Sequence, residues 1–359
     1  MKICDLHCDT VLEIQAGADV GAGNPRGHVD VPRLRRGGVG LQVFACYLPT
    51  LLPHGVVLRE CLDLLDHLER TCERLADDLV HVVTAAEAET VAAQGKTAVL
   101  AAVENGHALE QDLGNLDRLR ERGVRYITLT HAQHLAWAAS SGGDGPGPGG
   151  LTPWGVDLVR AMNDAGVIVD VSHVHERTFW DVVRVCRRPF IASHSNAAAL
   201  CPSPRNLSDD QLRALAAAGG LAGINFYTGF LRPTVEVEGS SLAELYGALN
   251  RAELEHMADP ARRQDEIHAI YGELRRRHGP VTVTADDVID HIQHIVDLVG
   301  DDHVAFGSDF DGVPLVPRDL PDCGAYPHLL DRMRARGFSE SSIEKIAWSN
   351  FLRVLRANE

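Results

Sequence analysis

The chain begins with an apolar run, ICDLHCDT, that contains a histidine and an aspartate two residues apart, His7 and Asp9. In a β-strand, residues i and i+2 point to the same face. The two side chains would then lie together and could bind a metal ion through a nitrogen and a carboxylate oxygen. The simpler interpretation is a strand end whose polar residues face water, and this pair alone favours it.

Other apolar runs also end in residue types that bind metals. These are Glu104, His131, His173, His194 and Asp309. Any one of them is more often satisfied by a neighbouring side chain than by a metal ion. Seven such residues at six strand ends are harder to explain in that way, because burying so many ionisable groups together without a cation would be costly. A pair of divalent metal ions would remove that cost.

The elements that must position these residues are eight short apolar runs with helical patterns between them. The predicted strands cover residues 2–9, 41–47, 97–104, 125–131, 167–173, 190–195, 221–227 and 303–309. Their alternation with helices predicts an α/β fold, a (β/α)8 barrel, in which all strand C-termini meet on one face. A doubly wound open sheet is the alternative, but no G-x-G-x-x-G motif follows the first strand.

Two stretches interrupt this alternation of strands and helices. Residues 140–150 (SSGGDGPGPGG) are typical of a flexible loop, and residues 231–280 are polar with a helical pattern. Because the second stretch follows a strand's C-terminal end, we expect it to lie over the barrel mouth as a lid or rim. Residues 1–359 would then form a single domain. The next helix after the sixth strand begins with Ser208 and Gln211 at the spacing of a capping box.

Composition narrows the function classes. The formal net charge of −16 argues against nucleic acid as a partner, because phosphates would be repelled. No apolar run is long enough for a transmembrane helix, and the first residues do not resemble a signal peptide. We therefore expect a cytoplasmic location, no membrane association, and eight reduced cysteines.

Seven segments carry a more specific signal: DLHCDT, AVENGH, YITLTHA, VIVDVSH, FIASHSN, SPRN and AFGSDFDG. Together they resemble the motifs of the membrane (renal) dipeptidase family, zinc dipeptidases of the amidohydrolase superfamily. The closing segment GFSESSIEKIAWSNFLRV is similar to that family's C-terminal stretch. The resemblance implies a (β/α)8 barrel that holds two zinc ions with a water or hydroxide between them. The implied ligands are His7, Asp9 and Asp309 for the first ion, His173 and His194 for the second, and Glu104 for both.

The resemblance also implies roles for three residues in catalysis and substrate binding. Asp309 would take the proton of the attacking water and pass it to the leaving amine. His131 would stabilise the tetrahedral intermediate, and Arg205 would clamp the C-terminal carboxylate of the substrate, for which a guanidinium fork is suited. Without the resemblance, an ordinary surface ion pair would be the favoured interpretation of Arg205. His134 stands where the family usually has asparagine, which leaves substrate preference open.

The sequence therefore predicts a zinc-dependent dipeptidase whose substrate is a small dipeptide, including dipeptides with a D-residue at the C-terminal position. Manganese or cobalt could occupy similar donors. One alternative keeps the metal site but hydrolyses lactones, cyclic amides or phosphoesters. A further alternative is a barrel that binds metal without catalysis. Homodimerisation is left open, because nothing in the sequence fixes the oligomeric state.

Overall fold

The structure is a computed structural model that describes residues 1–233 and 242–359. Within these ranges, nine strands pair in parallel. They are β1 (Ile3–Asp5), β2 (Val39–Tyr47), β3 (Leu79–His81), β4 (Thr97–Glu104), β5 (Val124–Thr128), β6 (Ile168–Asp170), β7 (Ile191–Ala192), β8 (Leu221–Ile224) and β9 (Val304–Phe306). Eight of them close into a ring in the order β2-β1-β9-β8-β7-β6-β5-β4, completed by pairing of β2 with β4. The predicted (β/α)8 barrel is therefore confirmed.

The eight ring strands coincide with the eight predicted apolar runs, whereas β3 was not predicted. It extends the sheet beside the first residues of β4, with Leu79 opposite Thr97. Its three residues, Leu-Val-His, are too few to show a strand period in the sequence.

Helices surround the ring. They are α1 (Thr10–Gln15), α2 (Val31–Gly37), α3 (Val57–Arg74), α4 (Ala85–Ala93), α5 (Gly114–Glu121), α6 (Pro153–Ala165), α7 (Glu176–Val185), α8 (Asp209–Ala217), α9 (Thr228–Leu231), α10 (Leu242–Glu255), α11 (Pro260–His278), α12 (Ala285–Val299), α13 (Tyr326–Ala335), α14 (Glu340–Glu344) and α15 (Asn350–Asn358). The capping box predicted before α8 is present. Ser208 Oγ accepts from the Gln211 backbone N–H, and Gln211 Oε1 accepts from the Ser208 N–H at 2.9 Å.

The barrel interior is packed solid below the strand C-termini. Leu6, Leu100 and Tyr126 belong to one fully buried cluster, which Phe351 of α15 joins from the end of the chain. A second, larger cluster fills the space between the ring and the surrounding helices. Because the interior is filled, a ligand can enter only from the C-terminal face, as is usual for this fold.

Helices α10 and α11 belong to the predicted insertion at 231–280, of which residues 234–241 lie outside the described residues. The two helices pack against each other in a small apolar cluster that includes Leu315, after β9. Tyr271 of α11 also donates a hydrogen bond to the Gly312 carbonyl at 2.8 Å. These helices are thus held at the C-terminal end of the barrel, although their action as a lid remains a proposal.

Several strands are shorter than predicted. β1 ends at Asp5, β6 at Asp170 and β9 at Phe306, before the polar residues that were expected to close each strand. His173 and Asp309 have left-handed φ angles of 67° and 62°, which turn the chain out of the strand direction. Most of the predicted site residues therefore lie on loops just beyond the ring, whereas Glu104 is the last residue of β4.

The contribution of the capping box before α8 to stability can be tested by mutation. Replacing Ser208 with alanine should lower the free energy of unfolding by about 1 kcal/mol, because the Gln211 backbone N–H at the start of α8 loses its acceptor. Urea denaturation of the metal-free protein measures this. Ser341→Ala, at an exposed serine inside α14, is the matched control and should stay within about 0.5 kcal/mol. Equal stability of the two variants would contradict a stabilising cap.

Candidate metal centre

The six predicted ligands meet at the C-terminal face of the barrel, and each is at most 8% exposed. They are His7 and Asp9 after β1, Glu104 at the end of β4, His173 after β6, His194 after β7, and Asp309 after β9. Their nitrogen and oxygen atoms fall into overlapping groups of three, with all atoms of a group within 4.8 Å of one another. The groups are His7 with Asp9 and Asp309, His7 with Glu104 and His194, and Glu104 with His131 and His173.

Glu104 lies between two sets of donors. Its Oε1 is 3.1 Å from His173 Nε2 and 3.3 Å from His194 Nε2. Its Oε2 is 3.5 Å from His7 Nε2, which in turn is 3.9 Å from an oxygen of each aspartate in the set. One carboxylate thus presents a separate oxygen to each set, which is the arrangement that a bridging ligand requires.

A hydrogen bond fixes the tautomer of His7. Its Nδ1 lies 2.7 Å from the Tyr126 hydroxyl, and that hydroxyl donates its single hydrogen to the Leu6 carbonyl at 2.9 Å. Nδ1 must therefore carry the hydrogen of the neutral ring, which leaves the lone pair on Nε2. This lone pair faces the carboxylates.

A similar chain of hydrogen bonds orients His194. Its Nδ1 lies 2.7 Å from Ser193 Oγ, which donates to Asp170 Oδ2 at 2.6 Å. The neutral ring again keeps its lone pair on Nε2, which is 2.9 Å from His173 Nε2. Hydrogen bonds of this kind behind a histidine are typical of metal ligands, because they fix the ring and raise its basicity.

The charges of the site fit a cation. Burial and the neighbouring Glu104 hold the pKa of Asp9 well above its usual range, and burial raises the pKa of Asp309 to about 6. Although burial opposes it, the attraction of Glu104 and the aspartates raises the pKa of His7 to about 10, so that without a metal ion Nε2 holds a proton, which a metal ion would replace. His7 Nε2 and Asp9 Oδ1 are buried without a hydrogen-bond partner among the described residues. Nitrogen and carboxylate donors with this need for positive charge suit divalent transition metals.

His131 lies at the edge of the donor cluster. Its ring centroid is 4.3 Å from that of His173, and it shares one of the three donor groups. Burial lowers the pKa of His131 to about 4, so the ring is neutral near pH 7 and can donate one N–H. The structure places it beside the predicted ligands His173 and Glu104.

Arg205 is only 5% exposed, which excludes the interpretation as a surface ion pair. Its guanidinium donates to Ser195 Oγ at 3.3 Å and to the His194 carbonyl at 3.1 Å, and lies 5.4 Å from the Phe230 ring centroid. Its Nε–H has no acceptor among the described residues. A buried guanidinium without a carboxylate partner is suited to bind an anionic group of a ligand.

Asp309 is held in one orientation. Asn225 Nδ2 donates to its Oδ2 at 2.8 Å, and its Oδ1 faces His7. A Cβ atom at Gly312 would lie 2.0 Å from Asp9 Oδ2 and 2.5 Å from Asp309 Oδ1, so only glycine allows the backbone to approach both aspartates here.

The sequence analysis missed the residues that orient the ligands. They are Tyr126, Asp170, Ser193 and Asn225, and all are fully buried. Asp170 and Asn225 interrupt apolar runs, which was a usable signal, since a buried polar residue needs a specific partner. Tyr126 and Ser193 are ordinary residues for their positions and gave no signal.

His134 packs against the glycine-rich loop 140–150 and is not among the residues that line the cavity. Its Nδ1 accepts from the Ser140 backbone N–H at 3.0 Å. A Cβ at Gly143 or Gly147 would come within 2.7 Å of the ring, so the two glycines enclose it. Any effect of His134 on substrate preference is therefore indirect.

An open cavity lies above the donors. Its floor contains Asp9, Glu104, His131, His173 and Asp309. Much of its wall comes from α10 and α11, through residues that include Tyr246, Leu249, Glu253, Ile267 and Tyr271. Among the described residues, no helix has both the length and the apolar character needed to span a membrane.

The sequence profile of the membrane dipeptidase family, peptidase family M19, matches residues 1–359. The chain belongs to this family. The resemblance inferred from the motifs is therefore confirmed, and with it the assignment as a metal-dependent hydrolase of the dipeptidase class.

Similar proteins from other organisms also carry the name dipeptidase. An uncharacterized dipeptidase of Schizosaccharomyces pombe is 33% identical over 92% of this chain and 72% of its own length. A dipeptidase of Clonostachys rogersoniana is 32% identical over 92% of this chain and 76% of its own length. Among solved structures, a metallo peptidase from Rhodobacter sphaeroides, bound to a phosphinate mimic of the dipeptide L-Ala-D-Ala, is 26% identical with a TM-score of 0.80. That match covers 100% of this chain and 99% of the other.

The hydrogen bond behind His7 can be tested directly. Tyr126→Phe removes the acceptor for His7 Nδ1 and should weaken metal binding about 10- to 100-fold, because the ring loses its fixed tautomer. Competition with a coloured chelator measures the affinity. Tyr246→Phe, which removes a hydroxyl from the cavity wall, is the control and should bind metal as the wild type does. Equal affinities would show that Tyr126 does not orient the ligand.

Proposed function

We propose that this protein hydrolyses the peptide bond of dipeptides with two zinc ions, held by the ligand set described above. The observation that carries the proposal is the position of Glu104, whose two oxygens face two separate sets of donors at the floor of a small cavity. Membership of the membrane dipeptidase family supports it. The ions, when bound, would lower the pKa of water and polarise the substrate carbonyl.

Asp309 is the proposed proton carrier. Its Oδ1 faces the ligands, which leaves Oδ2, positioned by Asn225, to take a proton from the attacking water. Burial raises the pKa of Asp309 to about 6, so the group is ionised near pH 7 yet basic enough to accept that proton. Delivery of the same proton to the leaving amine completes the hydrolysis.

His131 is proposed to donate its ring N–H to the oxygen on which negative charge develops. It lines the cavity next to His173, and it is neutral near pH 7. A donor fixed in a site that excludes water stabilises such charge strongly. Its partly exposed ring leaves room for a substrate atom to approach.

Arg205 is proposed to bind the C-terminal carboxylate of the dipeptide. It lies under Phe230, a residue of the cavity wall, and it contacts the backbone of His194. Because Arg205 would bind a C-terminal carboxylate close to the reacting bond, the substrate would be a short peptide that fits the cavity. The ligand of the Rhodobacter sphaeroides structure, a mimic of L-Ala-D-Ala, supports dipeptides with a D-residue at the C-terminal position as substrates.

The function is tested with a dipeptide library that includes D-residues at the second position, run beside lactones, cyclic amides and phosphoesters. The zinc-loaded protein should hydrolyse dipeptides and contain two zinc equivalents by mass spectrometry of the metals. Glu104→Gln should bind fewer equivalents and lose most of its activity, whereas Glu121→Gln, at an exposed glutamate of α5, should change neither. Turnover of the other substrate classes alone would overturn the proposal.

The carboxylate clamp has a separate test. Arg205→Ala should lower kcat/KM for dipeptides about 10- to 100-fold, the loss expected for one charged hydrogen-bonded contact, with little change in metal content. The same loss should not be seen with dipeptide amides, which lack the carboxylate and should be poor substrates of the wild type. Arg213→Ala, at an exposed arginine of α8, is the matched control. Unchanged dipeptide kinetics in Arg205→Ala would exclude the clamp.

A further inference from the structure

The wall of the cavity contains a carboxylate that the proposed reaction does not use. Glu253, on α10, lines the cavity and is only 5% exposed. Among the described residues, Glu253 accepts a side-chain hydrogen bond from the Tyr47 hydroxyl at 3.4 Å, which is long for an O–H···O contact. Among the described residues it has no ion-pair partner within 4.0 Å.

The nearest candidate cation is already engaged elsewhere. Arg263 of α11 lies 3.3 Å from Glu60 Oε1 and donates to Gln15 Oε1 at 2.5 Å. Burial raises the pKa of Glu253 to about 7, while the Tyr47 hydrogen bond and the charge of Arg263 oppose that rise. A cationic group of a ligand would restore the ionised form and gain a charged hydrogen bond in a protected site.

The other carboxylate of the wall differs in this respect. Asp311 accepts from the Thr10 hydroxyl at 2.6 Å and from the backbone N–H of His28 at 2.5 Å. Its acceptors are therefore used within the protein. Glu253 is the wall carboxylate that is left with a single long contact.

The position of Glu253 separates it from the reacting atoms. Tyr47 is the last residue of β2, and its backbone is in register with Glu104. Its ring packs edge-on against His131, with centroids 4.6 Å apart, while its hydroxyl, at the far end of the side chain, meets Glu253. A phenol ring thus stands between the donor cluster and this carboxylate.

This separation distinguishes the two amino groups that a substrate could offer. The α-amino nitrogen of a dipeptide lies only about 2.5 Å from the scissile carbonyl carbon, from the N–Cα and Cα–C bonds, so it stays with the reacting atoms. A lysine side chain ends in an ammonium on a flexible four-carbon stem, which can pass the Tyr47 ring. Leu249 and Ile267 line the same cavity and provide apolar surface for such a stem.

We propose that Glu253 makes this protein prefer dipeptides whose N-terminal residue has a cationic side chain, such as lysine, ornithine or arginine. The inference rests on the dipeptidase function proposed above and names its substrate class. The net charge of −16 acts in the same direction, because it attracts cationic substrates during encounter.

The test compares Lys-Ala with norleucine-Ala, which has a neutral side chain of similar length, on the zinc-loaded protein. The wild type should show a kcat/KM for Lys-Ala about tenfold or more above that for norleucine-Ala, the ratio expected for one charged hydrogen bond. Glu253→Gln should remove this ratio while leaving norleucine-Ala within about twofold, since the charge alone is lost. Glu253→Asp, which keeps the charge, should retain part of the preference.

Glu255→Gln is the matched control, because it removes the same charge from an exposed position two residues away on α10. It should retain the Lys-Ala preference, which separates a local contact from the overall charge of the protein. A series of substrates tests the same contact on the wild-type protein. Shortening the N-terminal side chain from lysine to ornithine to 2,4-diaminobutyrate should reduce the preference for the cationic side chain stepwise.

Two results would overturn the inference while the dipeptidase function stands. One is wild-type hydrolysis of norleucine-Ala that equals or exceeds that of Lys-Ala. The other is an equal loss on both substrates in Glu253→Gln, which would show that Glu253 supports the fold or binds the α-amino group. If the wild type hydrolysed neither these nor any other dipeptide in the library, the proposed function itself would fail, and this inference with it.

Discussion

The structure depends on one electrostatic constraint: three histidines and three carboxylates are buried together, and the carboxylates repel one another unless positive charge lies among them. Glu104 is shared between the two sets of donors, and the lone pairs of His7 and His194 face it. The hydrogen bonds behind both rings hold those lone pairs in place. A cluster that binds metal must be rigid before the metal arrives, and the closed barrel provides that rigidity from below.

The barrel positions the donor cluster, and the helices above it form much of the cavity wall. The six predicted ligands come from the ends of five strands of the ring, whose interior is packed. The cavity wall comes largely from α10 and α11, which are anchored to the loop after β9 through Tyr271 and Gly312. A substitution in these helices, for example at Glu253, would alter the cavity wall without changing the predicted ligand set.

Sequence reasoning picked out the residues that meet in the donor cluster and missed the residues that hydrogen-bond to them, and both outcomes have the same cause. Residues such as His7 and Asp309 are chemically distinctive, and each follows an apolar run whose end has a known place in a barrel. Tyr126 and Ser193 are common residues whose importance arises only from a partner far away in the chain. The strand ends were also placed too late, because left-handed backbone angles at His173 and Asp309 cannot be read from residue type alone.

The sequence by itself determined the barrel and the family and predicted the ligand residues, since these follow from local periodicity and from short motifs in a fixed order. Only the tertiary structure decided how the two oxygens of Glu104 are shared, which ring nitrogen of His7 keeps its lone pair, and that Arg205 is buried. It also decided that Glu253 faces the cavity with a single long contact. The physical reason is that charge, burial and hydrogen bonding depend on distances between residues that are remote in the chain, and those distances exist only after folding.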